Sequence, residues 1–153
     1  MHCRIAVALF IVVVTSLWRV SVTDAASRDE TAIRQALTEW TQHFNARHAD
    51  QVCQLFAPEL RYDYRLYPER GFNEICELLR RSLTDRSKTY TYSLNIKEVL
   101  VSGDLAIVRL VWTRRVDPAG SANASIAREP GIDVFRKQPD GSWKIIRYIA
   151  YEE

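Results

Sequence analysis

The 153-residue chain lacks most of the signals that announce a specific chemistry. No glycine-rich phosphate loop, nucleophile elbow or cysteine–histidine pair at catalytic spacing occurs in it. Five glycines and five prolines, in a composition 47% hydrophobic and 26% charged, exclude collagen and low-complexity disorder. An excess of one charge is missing too: 21 Lys plus Arg against 19 Asp plus Glu leave +2. That balance is too even for a nucleic-acid groove or a polybasic membrane patch. What the chain holds is rings, with 4 Trp, 7 Tyr and 5 Phe. They are enough for a core, with some to spare for a pocket. The length is that of one domain.

Residues 1–26 read as a secretory signal peptide: Arg4, then ten apolar residues from Ile5 to Val14, then Ala25-Ala26 as a cleavage site. A bilayer span needs about 20 apolar residues, and Arg19 interrupts this run too early. An uncleaved anchor is the alternative; cleavage leaves no stable membrane anchor. Cys3 falls in the leader and takes no role. The domain is then 27–153, secreted or periplasmic, and retains Cys53 and Cys76. That pair reads either as a disulfide or as two buried thiols. Two cysteines without nearby histidines make no structural zinc site, so no metal is expected.

Ser27 and Glu30 have capping-box spacing, and Ile33, Leu37, Trp40 and Phe44 recur at helical intervals. Asp50 to Pro58 reads as a short second helix. Leu60 to Leu66 alternates, with Tyr62 and Tyr64 on one face and Asp63 on the other. A third helix carries Phe72, Ile75, Cys76, Leu79 and Leu83 on one stripe. From Lys88 the period becomes two, giving four long strands parted by Ser102-Gly103-Asp104, a polar loop from Asp117 through Asn123, and Pro139-Asp140-Gly141. Helices grouped ahead of a meander predict an α+β fold: three N-terminal helices packed in a strongly curved antiparallel sheet, a cone whose mouth can hold a small ligand.

Three stretches carry a family likeness: Trp40-Thr41-Gln42-His43-Phe44-Asn45 with Asp50 and Leu55-Phe56, then Gly131 to Arg136, then Pro139 to Ile145. The chain resembles the nuclear transport factor 2-like superfamily, in its SnoaL-like and ketosteroid isomerase-related branch, over nearly all of 29–153. The resemblance implies a cystatin-like cone and leaves the reaction open, since this fold hosts isomerases, cyclases, hydrolases, dehydratases and binding modules.

Carried over by position, the resemblance puts Trp40 where the isomerases keep a tyrosine donor, and Asp133 where they keep a protonated aspartate. An aspartate in an apolar cavity has its neutral form favoured and can donate a hydrogen bond. Tyr64 falls where the proton-shuttling carboxylate stands, so that shuttle is not preserved; a phenol is a poor base at neutral pH. The resemblance also turns Ile146, Tyr148 and Ala150 toward the cavity and leaves Trp143, Ile145 and Ile149 outside. The histidine many SnoaL-like relatives carry near the end of the last strand is absent from Arg147 to Tyr151.

The residues themselves leave choices. Asp133 is either a cavity group or the partner of Arg128, Arg136 or Arg147. Tyr62, Tyr64 and Tyr148 either line a pocket or plug it, and Trp40 is a liner or core. His43 and His48 read as surface residues. Arg61, Arg65, Arg80, Arg81, Arg114 and Arg115 read as a solvated scatter. Asn123-Ala124-Ser125 fits a glycosylation sequon. Ile132, Val134, Trp143, Ile145 and Ile149 predict an apolar outer sheet face, hence a homodimer through the sheet. The expectation is an exported domain binding a small, mainly apolar ligand without a cofactor. As an enzyme it would be an isomerase, cyclase or dehydratase, with Asp133 and Tyr64 as catalytic residues. The rival is a noncatalytic envelope module with a self-filled cavity.

Overall fold

The computed structural model describes residues 6–65, 67–120 and 123–153, with 6–23 as helix backbone only. Arg4 and Cys3 of the leader, Leu66 at the end of the expected strand, and residues 121–122 of the polar loop lie outside the described residues. Helix α1 runs Ala6–Asn45 and is followed by β1 (Phe56–Tyr64), β2 (Arg70–Gly71) and α2 (Phe72–Thr84). Strands β3 (Lys88–Ser102), β4 (Leu105–Pro118), β5 (Ser125–Lys137) and β6 (Trp143–Ala150) complete the chain. One sheet has the order β2-β1-β6-β5-β4-β3. This is an α+β cystatin-like fold, and α1 packs on β3 and β6 while α2 packs on β1, β2 and β3.

Among the described residues two helices form, not three. Residues 46–55 make successive turns, with Gln54 N–H donating to Gln51 and Phe56 N–H to Cys53. A second helix loses because its backbone is drawn into tertiary bonds. The Val52 carbonyl accepts the Trp40 indole N–H at 2.8 Å, and the Leu55 carbonyl accepts Ile145 N–H at 2.9 Å. Nor does α1 begin at Ser27. Glu30 binds Arg34 one turn on, the Ser27 carbonyl accepts the Thr31 hydroxyl, and the helix passes through Ala25-Ala26, strong helix formers. Among the described residues no helix is long and apolar enough to cross a membrane.

The sheet is not wholly antiparallel, because β1 pairs parallel to β6, Tyr62 opposite Tyr148 and Tyr64 opposite Ala150. Strand β6 also carries a bulge. Val134 pairs with Arg147 but Phe135 pairs with Ile145, so Ile146 is the extra residue. A one-residue insertion inverts the alternation on one side of it. Trp143 and Ile145 therefore turn inward, 4% and 2% exposed, contrary to the outward placement an unbroken count gives. Phe44, Leu60, Leu110 and Phe135 fill the core between the helices and the concave face. Cys53 and Cys76 are joined in a disulfide, Cα atoms 5.5 Å apart, that ties the turns after α1 to α2.

Candidate functional site

The concave face of the sheet, closed by α1 and α2, encloses a cavity of about 420 Å³. That lies at the lower end of the roughly 300–1,000 Å³ of small-molecule clefts. Trp40 and Phe44 enter it from α1, Ile75, Leu78 and Leu79 from α2, and Tyr90, Tyr92, Leu110 and Trp112 from β3 and β4. Tyr62, Tyr64, Asp133, Ile145, Tyr148 and Ala150 complete the wall from β1, β5 and β6. Tyr62 and Tyr148 both line it and stack on each other, with centroids 4.4 Å apart.

Asp133 is 4% exposed, and none of its proposed arginine partners reaches it. Arg128 binds Glu153, Arg136 binds Glu59, and Arg147 donates to the Glu59 carbonyl. Among the described residues no side chain pairs with or hydrogen-bonds to the Asp133 carboxyl. Burial alone pushes it up to about 7, since desolvation penalises the charged form and no cation compensates. Its alternation with Gly131 and Phe135 turns it inward, and Tyr148 stands directly opposite it on β6.

Trp40 borders the cavity with its ring alone. Its N–H is consumed by the Val52 carbonyl, so this position offers a ligand a surface and no donor. Tyr64 is similarly engaged, donating to Glu129 Oε1 at 3.0 Å. Burial raises its phenol further, and the Glu129 charge adds to that. Asp63 is exposed and faces outward opposite Ile149. Ile146, the bulge residue, does not line the cavity; Ile145 takes that place.

Two groups that carry no mark in the sequence stand at the mouth. Glu129 is 8% exposed, and Arg114 donates to its Oε1 through Nε at 2.9 Å. Arg114 also reaches Glu152 Oε2 at 3.0 Å, and Arg65 pairs with that same carboxylate. Arg65 and Arg114 are therefore cavity residues and not a solvated scatter. The available signal is the strand period: Arg114 shares a face with Leu110 and Trp112, and Glu129 shares one with Gly131 and Asp133. Among the described residues no cluster of His, Cys, Asp and Glu is placed to hold a metal ion.

The model of the SnoaL-like domain matches residues 37–148. Among solved structures, an NTF2-like protein with a cystatin-like fold from Novosphingobium aromaticivorans superposes with a TM-score of 0.72 at 18% identity, covering 89% of each chain. A conserved protein from Planctomyces limnophilus gives 0.72 at 16% identity, over 83% of this chain and 98% of the other. A ketosteroid isomerase-like protein from Erwinia carotovora atroseptica gives 0.65 at 21% identity, over 80% of this chain and 94% of that one. At these identities the likeness is one of fold. No curated protein matches the sequence.

Proposed function

The chain belongs to the SnoaL-like domain family, and on that premise we propose that it binds a small, mainly apolar molecule carrying a carbonyl, which the protonated Asp133 receives. One observation carries the reading: a buried carboxyl with no partner among the described residues stands in the wall of a ring-lined cavity of about 420 Å³. A neutral carboxyl there donates one hydrogen bond to an acceptor oxygen and adds strength if charge develops on it. The reaction class this suits is cofactor-free isomerisation, cyclisation or dehydration. Met1 to Ala26 and the Cys53–Cys76 bond support export to an oxidising compartment. The outer sheet face supports a homodimer, since Ile132 and Ile149 are paired neighbours there, 48% and 64% exposed.

The experiment is a titration with 2-acetylnaphthalene followed by the fluorescence of Trp40 and Trp112, both in the cavity wall. Saturable binding at pH 6 that weakens at pH 9, where Asp133 has lost its proton, is the expected result. No binding at either pH, or equal binding at both, would sink the proposal.

A further inference from the structure

Three arginines border the cavity, and they are not equivalent. Arg65 is engaged by Glu152, and Arg114 by Glu129 and Glu152. Arg70 has no such partner: among the described residues no carboxylate lies within ion-pair distance of it. Its guanidinium rests over the Tyr67 ring, 4.6 Å from the centroid. Glu74 acts on it only through its field, because that carboxylate caps α2 by accepting the Gly71 N–H at 3.0 Å.

A second, independent observation lies beside it. Tyr62 is 3% exposed and borders the cavity, and among the described residues its buried hydroxyl completes no well-formed hydrogen bond, although the Arg70 guanidinium and the Tyr148 hydroxyl act on it at close range. Such a group costs free energy until an acceptor arrives. Arg70 and Tyr62 are direct partners across β1 and β2, so they stand at one level of the sheet. That level continues from Tyr62 to Tyr148 on β6 and from Tyr148 to Asp133 on β5. One row therefore crosses the cavity wall, a cation and a hydroxyl at one end and the unpaired carboxyl at the other. Three strand spacings separate its ends, roughly 14 Å along the sheet and less across the curve.

We propose that the cavity takes a keto acid, its carboxylate held by the Arg70 guanidinium and the Tyr62 hydroxyl and its carbonyl at Asp133. The inference rests on the reading of Asp133 as the carbonyl's donor and names the other half of the ligand. A guanidinium fork matches the planar geometry of a carboxylate, and a charge-assisted bond there is stronger than a neutral one. The stacked Tyr62 and Tyr148 rings form the floor between the two polar ends, which suits a flat apolar body of about two fused rings.

Calorimetric titration at pH 6 with 6-acetyl-2-naphthoate and 2-acetylnaphthalene tests this, because the two differ only in the carboxylate. The acid is expected to bind about tenfold more tightly or better. In Arg70→Gln the ratio of the two affinities falls to about one, and Arg70→Lys keeps part of it. If the ketone binds and the acid binds no tighter, the keto-acid assignment is wrong while the carbonyl site stands. A preference that survives intact in Arg70→Gln overturns the keto-acid assignment in the same way. If neither compound binds the wild-type protein, both readings fall together.

Discussion

Replacing Asp133 by asparagine keeps the size of the side chain and removes its ionisation, so it isolates what burial does to this carboxyl. The unfolded chain releases the proton near the ordinary value of 3.8, and the folded chain near about 7. Below roughly pH 4 both states hold the proton, and the contribution to stability is at its full value. Between the two pKa values the folded state binds one proton more than the unfolded state. Stability then falls as pH rises, by about 1.4 kcal/mol per pH unit. Above about 7 both states are ionised and the slope vanishes, with about 4 kcal/mol lost in total. Because Asp133 is almost fully buried, solvent screening does not erode this figure as it would at a surface. Carboxyls held low in the fold, such as Asp29 by Lys137 and Asp140 by Ser142, give the opposite slope near pH 4. They do so in both proteins and cancel in the difference. Urea unfolding of wild type and Asp133→Asn, with the disulfide intact, at half-unit steps from pH 4 to 9 provides the assay. Relative to wild type, the variant should gain steadily from about pH 4 to 7 and then level off. Parallel curves across that window would refute the claim that Asp133 is held neutral by burial.

Reduction of Cys53–Cys76, or Cys53→Ser with Cys76→Ser, should cost about 3 kcal/mol for a bridge with a sequence separation of 23, read by urea unfolding with and without dithiothreitol. A loss under about 1 kcal/mol would mean that the turns and α2 are held in place without it. Tyr62→Phe removes a buried hydroxyl that completes no well-formed hydrogen bond among the described residues, so the unliganded protein should gain up to about 1 kcal/mol in thermal unfolding while its preference for 6-acetyl-2-naphthoate shrinks. Gly131→Ala sets a Cβ 2.9 Å from the Ile149 carbonyl and 3.2 Å from Ala150 Cβ. It should lower the melting temperature by forcing β5 from β6; an unchanged value would show that the pair yields freely. Ile132→Asp with Ile149→Asp should turn a dimer into a monomer by sedimentation, and a monomeric wild type would end the sheet-dimer proposal.

The period-two strands and the stripes on α1 and α2 are legible in the sequence because those patterns repeat over many residues. Tyr62, Tyr64, Asp133, Tyr148 and Ala150 trace to the cavity through uninterrupted alternation or a matched motif. The departures have local physical causes. Ile146 and Ile145 exchange roles because one inserted residue inverts parity, and nothing in Trp143 to Ala150 marks where the bulge falls. The short second helix fails because carbonyls of Val52 and Leu55 serve Trp40 and Ile145, partners 12 or more residues away. Glu129 escapes notice and Arg114 reads as part of a solvated scatter because a lone charge on a strand is ordinarily exposed. Only their mutual neutralisation, visible in three dimensions, lets both turn inward.

That neutralisation also limits what the cavity can catalyse. A base and an oxyanion donor acting on one substrate must be two different groups, and where both are carboxyls their proton affinities must differ. Glu129 already accepts from Tyr64 and Arg114, and the Tyr64 phenol is pushed further from any basic role. Among the described residues lining the cavity, Asp133 is thus the one unpaired carboxyl. A single carboxyl cannot hold its proton for an oxyanion and lack it for a base in the same turnover. Any turnover this site performs as a donor should therefore follow one limb, level below about pH 6 and falling tenfold per unit above about 7. An activity that instead rises through pH 7 would make Asp133 the base. A bell-shaped profile would require a second free group in the wall, and it would overturn the assignment of Glu129 to the mouth's ion-pair network.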